Sequence, residues 1–216
     1  MTIKETMRKG MIKLKTENIT EPNLKSRLIM QYILNKPRQY LIVYDNQILT
    51  LRQEVDYFKA IKRLVQGEPI QHITHQQEFM KLNFFVDENV LIPRPDTEVL
   101  VEEVIKIARK TNARKILDLC TGSGAIAVSL AKYLDDVEIT ATDISDKSLR
   151  IAKKNAKANE VEQKITFIES DLFEKIPNEK FFQNIGILSS CHSHRDLSFS
   201  APNTFIRAAW SARRTV

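Results

Sequence analysis

Glycine is scarce in this chain, five residues in 216, and cysteine scarcer still, with Cys120 and Cys191 the only two. Two cysteines make no disulfide framework, so a hydrophobic core must hold the fold. No apolar run approaches the roughly 18 residues that cross a bilayer. Met1-Thr2-Ile3-Lys4-Glu5 also lacks the apolar stretch of a signal peptide. These absences point to a cytoplasmic protein with no membrane partner. Histidine occurs four times. His72 and His75 stand three apart with no Cys, Asp or further His at ligand spacing, so no metal site is expected.

What is present describes an ordinary globular protein, 43% apolar and 28% charged, long enough for one large domain or a core domain with a small companion. The net charge of +6 is unevenly spread. Residues 1–39 carry nine Lys or Arg against three Glu, and residues 181–216 carry four Arg against one Asp, so the stretch between is acidic by three. A basic N-terminal lobe could meet an acidic protein or an RNA backbone; a solvated face of Lys-rich helices explains it as well.

Apolar residues recur at helical spacing in 23–34 (Leu24, Leu28, Ile33) and in 51–65 (Val55, Phe58, Ile61, Leu64, Val65). Pro37 separates the two runs, and Gly67-Glu68-Pro69 ends the second, which gives a small helical lobe. Phe79, Leu82, Phe84 and Val86 alternate through 79–90 and suit a strand pair. Pro93-Arg94-Pro95 then opens a helix over 96–109, with Asp96 and Glu98 in its first turn, where the helix dipole favours acids. From Lys115 the pattern becomes strand, helix, strand, helix, strand, the signature of a parallel α/β sheet.

Two of the five glycines lie together in Asp118-Leu119-Cys120-Thr121-Gly122-Ser123-Gly124-Ala125, where the apolar strand 115–119 passes into a helical run. Glycine there lets backbone approach a ligand, because it lacks a Cβ and tolerates positive φ. Asp143 and Asp171 follow at the ends of two further strand-like runs, and the trio of acids with the loop reads as a nucleoside-cofactor site. Gly122-x-Gly124-x-x-Ala127 also satisfies a permissive dinucleotide fingerprint, and spacing alone leaves a nicotinamide cofactor open. The acids favour S-adenosyl-L-methionine, which has no phosphate and offers an ammonium, ribose hydroxyls and an adenine amino group. Asp143 would accept from the ribose, Asp171 would face adenine, and Asp118 would help hold the methionine end. Either Asp143 or Asp171 could instead cap the helix that follows.

The stretches Gly67-Glu68-Pro69-Ile70-Gln71-His72-Ile73 and Val90-Leu91-Ile92-Pro93-Arg94-Pro95-Asp96-Thr97-Glu98, with the glycine loop and Asp143, resemble the bacterial peptide chain release factor glutamine methyltransferases over about residues 20–180. The resemblance implies a Rossmann-like S-adenosylmethionine-dependent methyltransferase domain behind a small α-helical domain. It also implies translation termination as the setting and release factors as partners, with nucleic acid only in a ribosome-associated context. It divides the chain into a release-factor-binding domain over 1–75, linking strands and a helix over 76–110, the first half of the methyltransferase domain over 111–180, and a tail over 181–216. By position, Cys120, Thr121, Gly122, Ser123, Gly124, Ala125 and Asp143 would line the cofactor, with Asp171 and Leu172 beside adenine. Leu172 departs from an aromatic residue found in some members, and His75 from a common glycine.

The family presents its substrate, the glutamine of a Gly-Gly-Gln motif, through an Asn-Pro-Pro-Tyr motif at the end of the fourth strand. That motif is missing, so no catalytic residue is assigned. Where it should appear the chain reads Ile185-Gly186-Ile187-Leu188-Ser189-Ser190-Cys191-His192. Composition breaks at the same place: all 20 Lys precede residue 181, while the last 36 residues hold no Lys, no Glu, half of the twelve Ser and the single tryptophan, Trp210. A frameshift, fusion or insertion after Lys180 is the expectation, leaving an incomplete sheet with an open edge on the central strand. The alternative is a divergent native segment in which 185–188 substitutes for the fourth strand. Cys191, His192 and His194 form only an incomplete zinc pattern. Two other readings stay open: a non-catalytic module binding release factor or RNA, and a relative of the nucleic-acid adenine amino methyltransferases.

Overall fold

The computed structural model describes residues 1–176 together with the backbone of Ile185–Leu188 and Thr204–Arg207. The chain divides into two compact units, Met1–His75 and Gln76–Val216.

The first unit is helical: α1 (Ile3–Thr16), α2 (Pro22–Leu34), α3 (Arg38–Val43), α4 (Leu51–Val65) and α5 (Ile70–Thr74). Helices α1 and α4 each begin with a reciprocal capping box, Thr2 with Glu5 and Thr50 with Gln53, which satisfies backbone amides that have no partner inside the helix. The long helices at 22–34 and 51–65 match the periodicity. Ile61 and Leu64 of α4 are buried as expected, but the buried faces also take in Ile29 and Met30 of α2 and Tyr57 and Ala60 of α4, whereas Leu28 and Val55 are exposed. The helices are turned so that a polar pair lies inside, Ser26 Oγ and Tyr57 Oη being 2.7 Å apart. Burial pushes the Tyr57 hydroxyl up to about 12, against the lowering effect of Ser26. Helix α1 crosses this pair at Gly10, where a Cβ would stand 2.1 Å from the Tyr57 hydroxyl and 2.8 Å from its ring.

The second unit begins with an antiparallel hairpin, β1 (Gln77–Phe79) and β2 (Leu82–Phe84). Its strands are shorter than the alternation over 79–90 implied. After Phe84 the chain leaves the ladder, and Val86 and Val90 are buried against Ile151 instead. The two turn residues, Met80 and Lys81, both have positive φ. Met80 is held from outside, its amide donating to Glu98 Oε1 (2.7 Å) and its carbonyl accepting from Tyr133 Oη (2.5 Å).

Helix α6 (Pro95–Thr111) leads to β3 (Lys115–Leu119), α7 (Ala125–Tyr133), β4 (Glu138–Asp143), α8 (Asp146–Ala158), β5 (Ile165–Glu169), β6 (Ile185–Leu188) and β7 (Thr204–Arg207). The five strands β3 to β7 form one parallel sheet in the order β5-β4-β3-β6-β7. The expectation of an open edge on the central strand is overturned: Ile116 to Leu119 pair in parallel with Ile185 to Leu188. The backbone of that short apolar run is enough for the ladder, because strand pairing requires amides and carbonyls in register rather than particular side chains. Buried residues of α6, α7 and the hairpin, including Val101, Val104, Val128, Leu130, Phe79 and Phe84, share one core with Ile116 and Ile139 of the sheet. Strand order reverses on either side of β3, and in such sheets ligands bind beyond the carboxyl ends of the strands at that reversal.

The Gly10 crossing yields a stability test. Gly10→Ala should destabilise the chain by about 1–3 kcal/mol through overpacking, outweighing the roughly 1 kcal/mol that alanine gains over glycine in a helix. Adding Tyr57→Phe removes the nearest atom and should recover part of the loss in urea unfolding. A double variant no better than the sum of its parts would place the strain elsewhere.

Candidate functional site

The turn after β3 is held by backbone and side-chain bonds together. Cys120 enters it in the left-handed region (φ 57°), followed by Gly122 at φ 55° and Gly124 at φ 79°. The Thr121 amide donates to the Thr142 carbonyl of β4 (2.8 Å), and the Gly124 amide donates back to the Thr121 carbonyl (2.9 Å). The two glycines serve different ends. A Cβ on Gly122 would meet no atom within 4 Å, so this residue leaves open space on a backbone that non-glycine residues rarely adopt. A Cβ on Gly124 would stand 3.0 Å from the Ala152 Cβ, so that glycine admits α8. Ser123 is buried between them, and Ala125 begins α7, also buried.

The three acids occupy unlike settings. Asp143, at the end of β4, accepts from the Gly122 amide through Oδ2 and from the Ser145 amide through Oδ1, each at 2.9 Å. Its carbonyl accepts from the Ser170 amide (3.0 Å), so one residue ties the loop after β3 to the ends of β4 and β5. Asp118 is fully buried within β3, and the Thr121 hydroxyl donates to it at 2.7 Å. Burial pushes its carboxyl up to about 7; bonds from Thr121 and the Ala127 amide pull the other way, and nearby Asp143 adds a further push. The half-buried Asp171 begins the turn after β5. Next to it, Leu172 takes a left-handed conformation (φ 48°) and packs, with Cys120, on the cluster of Leu117, Leu119 and Ile176.

The structure thus gathers Cys120 to Ala125 and Asp143 at the carboxyl end of the central strands, with Leu172 on the same apolar cluster as Cys120. Asp118 is turned into the interior of its own loop. Within the first unit, His75 has φ 54°, the region that glycine prefers, which accounts for the glycine common at that position in the resembled family. Among the described residues no group of three or more His, Cys, Asp or Glu is arranged to hold a metal ion. Cys191, His192 and His194 lie outside the described residues.

The second unit matches the family model described as methyltransferase small domain over residues 95–212, more than half of the chain. The chain belongs to the methyltransferase small domain family. Residues 5–74 match the PrmC N-terminal domain. A release factor glutamine methyltransferase of Clostridium acetobutylicum is 40% identical over 178 residues, taking in 81% of this chain and 61% of that protein. One from Koribacter versatilis is 39% identical over 182 residues, 84% of this chain and 64% of that protein. A bifunctional methyltransferase of Rickettsia typhi is 34% identical over 198 residues, 83% and 38% respectively. The chain spans about three fifths of the length of the first two relatives. The resemblance carried by Pro93 to Glu98 and the glycine loop is borne out, and the family's cofactor is S-adenosyl-L-methionine.

The residues fit that cofactor. Gly122 leaves room beside its backbone, and each Asp143 oxygen, already taking one amide, keeps lone-pair capacity for hydroxyl donors. Sequence reasoning missed Asn155, which is fully buried in α8 and bonded to the Ser123 carbonyl at 2.9 Å. Its signal was available: an amide on a helix stripe made mostly of apolar residues, Leu149, Ile151, Ala152 and Ala156 with Ser148.

Asp118 gives a pH test with a definite sign. Its carboxyl titrates near 7 in the folded chain against 3.8 ordinarily. Between those values the unfolded chain has lost the proton while the folded chain keeps it, so this group's contribution to stability falls as pH rises through the window and levels off above about 7. The slope is at most about 1.4 kcal/mol per pH unit. Asp118→Asn, neutral throughout and still able to accept from Thr121, should lack this loss. Unfolding free energies of the two proteins should therefore diverge from pH 4 to 7 in favour of the variant. A constant difference across that range would mean that Asp118 is ionised in the fold.

Proposed function

We propose that this chain is built to bind S-adenosyl-L-methionine over the turn after β3 and belongs by descent to enzymes that methylate the glutamine side-chain amide in the Gly-Gly-Gln motif of peptide chain release factors. The observation that carries the cofactor half is the Asp143 carboxylate, fixed by the Gly122 and Ser145 amides beside the open face of Gly122. Held in this way, it keeps acceptor capacity for the two ribose hydroxyls. Asp171 and Leu172 follow β5 on the side where the adenine would lie. Asp118 acts one step back, fixing Thr121 and hence the backbone that faces the methionine end. When bound, the cofactor supplies an electrophilic sulfonium methyl.

The acceptor half is the weak part. An amide nitrogen is a poor nucleophile because its lone pair is delocalised into the carbonyl. Transfer therefore needs acceptors that hold its N–H groups and aim the nitrogen at the methyl. The Asn-Pro-Pro-Tyr that the family resemblance implies is absent, and after β6 the chain reads Ser189-Ser190-Cys191-His192, outside the described residues. We read this chain as one that binds the cofactor and transfers the methyl group poorly or not at all. The composition break after Lys180 supports a segment of foreign origin; the β3–β6 ladder and the match to residue 212 favour a divergent native one.

Two experiments test the proposal. In titration calorimetry with S-adenosylhomocysteine, Asp143→Ala should bind at least tenfold more weakly than the wild type; equal affinities would remove Asp143 from the site. With release factor and labelled cofactor, the wild type should transfer less than about a hundredth of what a relative carrying Asn-Pro-Pro-Tyr transfers, on the scale of losing one or two transition-state hydrogen bonds. Comparable rates would show that the motif is dispensable. Translating the surrounding DNA in all frames beyond codon 180 decides the origin of the segment, since Asn-Pro-Pro-Tyr in another frame would mark a frameshift.

A further inference from the structure

Asn155 is the tenth residue of α8 and has no access to solvent. A buried primary amide is costly unless its donors and acceptor are matched. Here they are: Oδ1 accepts from the Phe85 amide (2.7 Å), while Nδ2 donates to the Phe85 carbonyl and the Ser123 carbonyl, both at 2.9 Å. One side chain thus closes a two-way bond with the peptide of Phe85, just past β2, and also reaches the glycine turn.

The Ser123 contact bears on the cofactor turn. The Gly124 carbonyl accepts the first α-helical bond of α7, from Val128, so the Ser123 carbonyl lies one residue outside the helix and takes its bond from α8 instead. Its direction sets the plane of the Ser123–Gly124 peptide, whose N–H donates to the Thr121 carbonyl (2.9 Å) and closes the turn from which the Gly122 amide reaches Asp143. The same face of α8 carries Ala152 against Gly124, Ile151 against Val86 and Val90, and Ser148, whose hydroxyl donates to the Asn89 carbonyl (3.1 Å). Segment 85–90 and the glycine turn are therefore both fastened to one helix, and Asn155 is the side chain that bonds to both.

We propose that Asn155 is a positioning residue of the S-adenosylmethionine site, holding the glycine turn and segment 85–90 in fixed relation; this rests on the cofactor reading above. It touches no reacting atom and acts through Ser123 and Phe85. Asn155→Asp keeps the acceptor for Phe85 but removes both donors, leaving two carbonyls facing a carboxylate. S-adenosylhomocysteine should bind this variant at least fivefold more weakly, and amide hydrogen exchange should speed up at least fivefold across residues 121–124 and 85–87. Ile151→Val loosens the same helix face without touching these bonds and should bind within twofold of the wild type. A merely structural role for Asn155 would make the two variants alike. If Asn155→Asp does not fold, Asn155→Ser is read the same way. Wild-type affinity in the Asn155 variant, or unchanged exchange at 121–124, overturns the proposal. If the wild type itself binds no S-adenosylhomocysteine, the cofactor reading falls separately. Exchange at 121–124 then decides the positioning role alone, faster exchange supporting it and unchanged exchange ending it.

Discussion

The site depends on one carboxylate shared between two amides. Asp143 takes the Gly122 amide on one oxygen and the Ser145 amide on the other, joining the turn after β3 to the start of α8. Charge-assisted bonds of this kind are about twice as strong as neutral ones. They also fix geometry, because a carboxylate held at both oxygens cannot rotate away. The remaining features answer to this clamp: Thr121 bonded to β4, Ser170 bonded to the Asp143 backbone, and α8 lying against Gly124. A parallel sheet supplies the setting, since it brings three successive strand ends side by side and leaves their loops free for chemistry.

Much of this was legible in the residues, and what was not has physical causes. Helices α2, α4 and α6 were readable because long amphipathic runs were bounded by proline, glycine and first-turn acids. The turn after β3 was readable because two of five glycines fell within three positions of each other. Helix α1 was hidden: Ile3, Met7 and Leu14 have the spacing, but basic residues dominate the segment, and its closest contact is made by a glycine, which carries no hydropathy signal. The outward turn of Leu28 and Val55 could not be read from period alone, because a buried Ser26–Tyr57 pair sets the rotation. Asn155 failed for a similar reason. A polar residue on an apolar stripe declares that it has partners, and only the fold says which.

The pairing of β6 with β3 shows where motif reasoning overreaches. Loss of a chemical motif does not imply loss of the strand that precedes it, because the two have different requirements. A ladder needs a short extended run with its amides in register, and Ile185–Leu188 supplies that. Presenting a glutamine needs particular side chains at the strand's end. A chain can meet the first requirement while failing the second. The scaffold of this fold is thus more tolerant than the activity it carries.

The hairpin of β1 and β2 has a consequence for assembly. Its two-residue turn places Met80 and Lys81 at positive φ, where each non-glycine residue is disfavoured by roughly 1–2 kcal/mol. What holds the turn comes from far along the chain, Glu98 in α6 and Tyr133 at the end of α7. Taken alone, the segment has little reason to bend there. The hairpin is therefore imposed by helices synthesised after it, and an emerging chain must extend 53 residues beyond Met80 before both bonds that hold the turn can form.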